Sequence, residues 1–347
     1  MSDKNKKILV TGGAGFIGHH FINYIFENSD WDIVSLDRLD PAADLNRFTA
    51  LSGYNKNKHR LAICHHDLKA EISDEVAKLI ITGNRYFSDE PFDYVIHFAA
   101  ASHVTRSVAN PLSFVMDNVV GTCNLLDLFR RHREYLIKDG KILIFSTDEV
   151  TGPAFDRPFK EWDIMNPGNP YAASKMGEEA LATAYANTYD LPIVVTHTTN
   201  IFGERQHSEK FIPLAINKIY NDEIIDIHTN HDKTKICTRF YTYVDNVSSA
   251  VKFILENCEC LNGYPNTGKY NIVGEREVSN LEILEKISTS IGKSYNYRLV
   301  SIDPTRPKPD LRYDLDGTLL KSLGWKRIVS FDNGLEKTIK YTLEELK

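Results

Sequence analysis

The sequence lacks the features that would mark several functional classes. Its five cysteines, Cys64, Cys123, Cys237, Cys258 and Cys260, are odd in number and scattered, which excludes a disulfide framework and fits a reducing compartment. Cys258 and Cys260 have no second pair near them and the 12 histidines show no ligand spacing, so no metal is expected. No run approaches the ~20 apolar residues of a membrane span. The opening MSDKNKK passes straight into ILVTGG, without the apolar core of a signal peptide. Repeats and low-complexity segments are missing too. There is no basic excess: 41 Lys and Arg against 47 Asp and Glu give a net charge of -6, which excludes the electrostatic footprint of a nucleic-acid binder. The expectation is a cytoplasmic protein with neither a membrane nor a nucleic acid as partner. An anionic small molecule is compatible with this balance, because backbone N–H groups and one or two arginines hold phosphate locally.

What is present is an ordinary globular composition: 347 residues, 42% hydrophobic and 25% charged. Over the first 200 residues, short apolar runs alternate with segments of 3.6-residue periodicity. Ile8–Thr11, Ile33–Leu36, Leu61–Cys64, Tyr94–Ala99, Ile142–Ser146 and Ile193–Thr196 read as buried strands. Phe16–Phe26, Asp74–Ile81, Pro111–Arg131 and Tyr171–Tyr189 read as the helices between them. Such alternation predicts an α/β fold, a Rossmann-type doubly wound parallel sheet with helices on both faces. After residue 200 the pattern loosens. Helices are expected at Ile212–Tyr220, Val244–Glu256 and Leu281–Ile291, and the proline-rich Ser301–Pro309 reads as an extended loop. Residues 1–200 are therefore assigned to a dinucleotide-binding domain that also carries the catalytic residues. Residues 201–347 form mainly a smaller α/β substrate lobe, with a return of the chain to the sheet left open.

The segment from Lys7 to Gly18 combines a strand, a glycine-rich turn and a helix start. Gly12, Gly15 and Gly18 fall three apart, and Gly13, Gly15 and Gly18 satisfy G-x-G-x-x-G. One glycine permits the sharp turn, one the approach of a pyrophosphate, and one close packing of helix on strand. The pyrophosphate then lies at the positive end of the helix opened by Phe16 and Ile17. Asp37 ends the next strand, where a carboxylate accepts hydrogen bonds from a ribose and repels a 2′-phosphate. The pattern predicts NAD over NADP, although Arg38 stands beside Asp37. Asp67 and Leu68 follow the third strand and are candidates for the adenine. Ala99, in the small-residue run after His97, would let the cofactor lie against backbone.

Asn169-Pro-Tyr171-Ala-Ala-Ser-Lys175 is a helix start, with Asn169 as cap and Pro170 in the first turn. Tyr171 and Lys175, four apart, share a face. An ammonium near a phenol lowers its pKa and makes it a base at neutral pH. The fifth strand ends in Ser146-Thr147-Asp148-Glu149, beyond the carboxyl edge of the sheet, where ligands of such folds bind. Hydride transfer needs one base. Two adjacent carboxylates fit a second step, proton abstraction with departure of a hydroxyl, which needs a base and an acid.

With these residues in hand, the chain resembles the nucleotide-sugar 4,6-dehydratases of the extended short-chain dehydrogenase/reductase family, of the dTDP-glucose kind. The matching segments are TGGAGFIG (11–18), HFAAASHVTRS (97–107), STDEV (146–150), YAASK (171–175), TTNIFGERQHSEKFIP (198–213), TRFYTYVDN (238–246) and RPKPDLRY (306–313). They span nearly the whole chain in the family's order. The Thr-Asp-Glu run is the most specific, since related 4-epimerases lack it. The resemblance implies that Tyr171, helped by Lys175 and Thr147, takes the proton of the sugar 4-hydroxyl while the C4 hydride passes to NAD. It implies that Glu149 then removes the C5 proton, that Asp148 protonates the departing 6-hydroxyl, and that hydride returns to C6, so NAD stays bound. It also implies substrate-binding roles for His103, Ser107, Asn200, Lys210, Arg239 and Arg312, with Arg106 in the same loop as His103. A homodimer paired through the helices at 111–131 and 171–189 is implied as well. The chain departs from the family at Thr151, Thr105, Phe202 and Lys308-Pro309, which leaves dTDP-glucose and UDP-glucose both open as substrate. The competing reading is a UDP-sugar 4-epimerase or decarboxylase of the same family, against which the Asp148–Glu149 pair speaks.

Overall fold

A computed structural model of the chain describes residues 5–40, 43–262, 266–301 and 312–347. The loop expected over Ser301–Pro309 falls, beyond Ser301, outside the described residues. The first half alternates as its apolar pattern requires: β1 (Lys7–Thr11), α1 (Phe16–Asn28), β2 (Asp32–Asp37), β3 (Leu61–His65), β4 (Phe92–His97), β5 (Leu136–Phe145) and β6 (Ile193–Thr198). Val, Ile and Leu fill these strands because both faces of a parallel sheet are covered by helices. The sheet has seven strands in the order 269–272, β6, β5, β4, β1, β2, β3. Every pairing is parallel. Strand order reverses between β1 and β4, so the loops leaving their carboxyl ends diverge and open a crevice.

Two apolar clusters flank the sheet. α1 and the helix Val244–Asn257 cover one face with residues such as Phe21, Ile22, Val247 and Ile254. Leu125, Phe129 and Ala182, from the helices over 121–131 and Pro170–Tyr189, cover the other. The seventh strand, Lys269–Ile272, and the helix Val244–Asn257 both come from the second half of the chain, which returns to the sheet after residue 200. The remainder of that half has its own core, built on Phe202, Ile212, Ile216, Leu284 and Leu335.

The helical stretch Pro111–Arg131 corrects the reading that nothing here is apolar enough to span a membrane. Its 21 residues reach a mean hydropathy of 1.2 over an 18-residue window. The inner side is core, with Leu125, Leu126, Leu128 and Phe129 buried. Leu112, Val115 and Met116 are exposed. Residues 115–120 form a π turn, an irregularity frequent at functional sites. Within it Asn118 is fully buried, accepts from the Ala101 N–H (2.7 Å) and donates to Ser174 Oγ (2.8 Å), tying the loop after β4 to the helix Pro170–Tyr189.

Behind the carboxyl edge of the sheet lies a buried charge cluster that fixes the same helix. Glu179, wholly shielded, accepts from Ser146 Oγ (2.5 Å) and lies 3.0 Å from His197 Nε2 and 3.1 Å from Lys269 Nζ. One side chain thus ties the helix to β6, to the seventh strand and to the end of β5. Burial works to raise the Glu179 pKa, but His197, Lys269 and Ser146 outweigh it and hold the carboxyl at about 2. The folded value is depressed, so this stability is fully present above the ordinary value of 4.5 and is lost as pH falls from there toward 2. Glu179→Gln, which leaves Lys269 buried without its anion, should cost about 3 kcal/mol at neutral pH. Urea unfolding of variant and parent checks this, with the difference shrinking below pH 4.5.

Candidate active site

The crevice at the carboxyl edge is a cavity of about 390 Å³. Its floor is the glycine turn, whose geometry is steric in origin. Gly12 has φ +71° and a Cβ there would stand 2.8 Å from Ala99 N, while a Cβ on Gly18 would meet Gly12 O at 2.2 Å. Only hydrogen fits at either place, so the turn stays tight and α1 begins directly against the strand. Gly15 precedes α1 and gives it no side-chain cap, and Phe16 and Ile17 line the cavity. The free N–H groups of that first turn, at the positive helix end, face an anion's place. Asp37 lies at the far wall, its two oxygens held by the N–H groups of Ala14 (3.1 Å) and Leu39 (2.8 Å). Asp67, Leu68 and Ala99 line the same end.

Arg38, the neighbour of Asp37 that in the sequence tempers the preference for NAD over NADP, is clamped. It donates to Asp117 (2.5 and 3.1 Å) and to Asp40 (2.7 and 3.1 Å). Two carboxylates already neutralise the guanidinium, so the charge that would favour a 2′-phosphate is taken. The end of the cavity suits a ribose diol beside Asp37. Floor, helix end and carboxylate together fit a dinucleotide of the NAD type.

At the other end of the cavity stand Thr147, Asp148, Glu149, Tyr171 and Lys175, with Asn200 and Lys210 opposite. The helix carrying Tyr171 starts where the sequence requires. Asn169 Oδ1 accepts from Ala172 N (2.8 Å), and Asn169 Nδ2 donates to Glu149 Oε2 (2.9 Å), so one residue caps the helix and aims the carboxylate. Tyr171 is fixed through its N–H, which donates to Ser107 Oγ (3.1 Å), and by the edge of its ring against Phe114. Thr147 Oγ1 donates to Asp148 Oδ1 (3.1 Å). Asp148 Oδ2 is buried and has no hydrogen-bond partner among the described residues.

The electrostatics separate the two carboxylates. Burial, and next the neighbouring Glu149, push Asp148 up to about 7, with Arg239 and Thr147 opposing. Asp148 is therefore half protonated near neutrality and can act as an acid. Tyr171 stands well above the ordinary phenol value: burial and Glu149 raise it most, Glu178 and Asp148 add to this, and a hydrogen bond with Thr147 opposes. The sequence assigns the lowering of Tyr171 to Lys175, but the ammonium is taken up by Glu178, 2.6 Å away. Lys210 is pushed down by burial, against the pull of Glu149 and Glu209.

Four residues that the resemblance assigns to the substrate stand outside the lining of this cavity. Ser107 is fully buried, and its hydroxyl serves Tyr171 N and the Val104 carbonyl. His103 caps a short helix and lies 3.1 Å from Glu209. Arg312 is held by Glu277, Asp314 and the Ala154 carbonyl. Arg239 donates to the Thr238 carbonyl and covers the Tyr313 ring, though its charge reaches Asp148. The sequence did not single out Asp117, Arg47 or Phe211, which do line the cavity. Among the described residues no group of three His, Cys, Asp or Glu is placed to hold a metal.

A parallel sheet of this order with a glycine turn and a Tyr–Lys pair at its carboxyl edge defines an extended short-chain dehydrogenase/reductase. Residues 9–338 match the family described as GDP-mannose 4,6 dehydratase, and the chain belongs to this family of NAD-dependent nucleotide-sugar 4,6-dehydratases. It is similar to the low-salt glycan biosynthesis protein Agl12 of Haloferax volcanii, at 36% identity over 97% of this chain and 98% of that one. It is also similar to a probable dTDP-glucose 4,6-dehydratase of Sinorhizobium fredii, at 34% identity over 97% and 93%. Among solved structures, the dTDP-glucose 4,6-dehydratase DesIV of Streptomyces venezuelae, with NAD bound, superposes with a TM-score of 0.81 at 29% identity, covering 97% of each chain. A UDP-glucose 4-epimerase of Thermotoga maritima, at 24% identity and a TM-score of 0.79, shares the fold.

Proposed function

We propose that this chain converts dTDP-glucose to its 4-keto-6-deoxy derivative, with UDP-glucose as the competing substrate. The observation that carries the reading is the Asp148–Glu149 pair, two carboxylates of unlike environment opposite Tyr171 in one cavity. NAD, when bound, supplies a reversible two-electron acceptor for C4 and donor for C6. Tyr171 takes the 4-hydroxyl proton, with Thr147 in hydrogen-bond contact and Lys175 behind. The resulting 4-ketone acidifies C5–H, Glu149 removes that proton, and Asp148 gives its proton to the 6-hydroxyl as water leaves. Glu149 then returns a proton to C5. Lys210 and Asn200 line the substrate end, and Arg239, with its planar fork, is assigned to the diphosphate. His103 and Arg312 are assigned to the outer parts of the nucleotide.

The partner is a second copy of this chain, joined through the helices over 111–131 and 170–189. The exposed apolar residues Leu112, Val115, Met116 and Tyr189 on those helices support that pairing. The protein acts in the cytoplasm, in keeping with five free cysteines.

Purified protein mixed with dTDP-glucose or with UDP-glucose, without added NAD, tests the reading by mass spectrometry. Loss of the mass of one water from either sugar is the expected result, and the faster substrate settles the base. No loss with either, on protein shown to contain NAD, overturns it. The acid role adds a pH signature. Asp148 is protonated below its pKa, so the elimination rate should fall tenfold per unit as pH rises beyond about 7. Rapid-quench measurements across that range, with Asp148→Asn as the flat reference, check this.

A further inference from the structure

One buried acid beside the site has no part in the scheme above. Glu178 is fully shielded, and its Oε2 lies 2.6 Å from Lys175 Nζ, itself almost wholly buried. The two are three apart on one helix face, and both side chains are buried. Glu178 Oε1 is buried with no hydrogen-bond partner among the described residues. An acid in such a place is costly unless its charge serves a neighbour. Its neighbour is the lysine that the reaction needs near the Tyr171 oxygen.

We propose that Glu178 is a positioning residue for C4 oxidation, holding Lys175 by its ammonium and setting how much of that positive charge reaches the Tyr171 oxygen. The proposal rests on the dehydratase reading and deepens it. A carboxylate against Lys175 cancels part of the field that would stabilise the tyrosinate, and its own charge raises Tyr171 further. Burial pushes Glu178 itself up to about 7, with Lys175 opposing and Glu179 adding, so the cancellation grows as Glu178 ionises near neutrality. The other groups facing this cluster are Glu179 on the same helix, His97 from β4, and Asp148 and Glu149 after β5. His197 and Lys269 stand behind Glu179 and are bound to it. Burial, then Lys175, hold His97 neutral, with its pKa pushed down to about 3, and Glu179 is ionised throughout. Asp117, on the helix opposite, is committed to Arg38. Asp148 titrates in the same range but is common to every variant compared.

The test follows cofactor reduction in single-turnover mixing of the holoenzyme with dTDP-glucose over a pH series. In Glu178→Gln the acidic limb should move down by about one pH unit, because Lys175 then acts on Tyr171 without a counter-charge. Glu178→Asp, which keeps the charge but draws it off Nζ, should move the limb the same way by less. An ultraviolet difference titration of each protein against its Tyr171→Phe counterpart reads the tyrosinate directly, without turnover, and should shift in parallel. A slower rate with an unmoved limb and an unmoved tyrosinate titration would show a merely structural Glu178 and overturn the proposal. If Glu178→Gln does not accumulate folded, Glu178→Asp decides alone. Wild-type protein that reduces no cofactor with dTDP-glucose or UDP-glucose overturns the dehydratase reading instead, and the tyrosinate titration still decides this one.

Discussion

Glu149→Gln should reduce its bound cofactor on mixing with substrate and then stop. C4 oxidation draws on Tyr171, which the change leaves in place. The next step needs a base at C5, and an amide is none, so water loss should slow by 10²–10⁴-fold, the ordinary worth of a positioned base. Glutamine still offers an oxygen to Asn169 Nδ2, which lies 2.9 Å from Glu149 Oε2, so the cap of the catalytic helix and the reach of residue 149 are preserved. Removing this charge also relieves one of the two largest influences holding Tyr171 up, so cofactor reduction should begin at lower pH than in the parent. The measurement is paired: absorbance of the reduced nicotinamide, which should persist, and mass of the sugar, which should be two hydrogens short yet retain its water. Water loss at the parental rate would remove Glu149 from the role of base and leave Asp148 to do both jobs.

The parts of this site legible in the sequence are those whose chemistry is local along the chain. Part of the glycine turn is fixed within seven residues, where a Cβ on Gly18 would strike Gly12 O at 2.2 Å, so sterics write it into the sequence as glycine. Tyr171 and Lys175 are one helical turn apart, and Asp148 and Glu149 are adjacent. The seven-strand sheet is readable for its first six strands because each contains an apolar run, although β5 reaches back to Leu136 through the polar Lys138–Lys141 stretch. The seventh, Lys269-Tyr-Asn-Ile272, is four residues with two polar ones, and joins only because β6 offers it an edge. The unreadable interactions are long-range. Arg38 meets Asp117 79 positions away, and Glu179 meets Lys269 90 positions away. Nothing in the local sequence marks Glu178 and Glu179 as buried. Tertiary packing alone brings both to zero exposure and gives them unlike partners, Lys175 for one and His197 with Lys269 for the other. The π turn over 115–120 likewise has no residue signature, yet it places Asp117 against Arg38 and Asn118 against the loop after β4.

Tyr171→Phe should stop the reaction one step earlier than Glu149→Gln and leave the bound cofactor oxidised. The ring is buried and meets Phe114 at a centroid distance of 6.3 Å, contacts that phenylalanine keeps. The N–H bond to Ser107 is backbone and also survives. The lost group is one hydroxyl, whose net worth to folding is about 1 kcal/mol, so the melting temperature should scarcely move. The loss in C4 oxidation should be 10²–10⁴-fold, the ordinary worth of a positioned base, because the hydroxyl removed is the one in hydrogen-bond contact with Thr147. The two variants therefore order the steps. One accumulates reduced cofactor with an intact sugar skeleton, and the other accumulates nothing. Sugar added to Tyr171→Phe should still protect the protein thermally, since Lys210 and Asn200 are untouched. Cofactor reduction at an undiminished rate in this variant would mean that Thr147 or a water takes the 4-hydroxyl proton, and the role of Lys175 would then have to be argued from that atom instead.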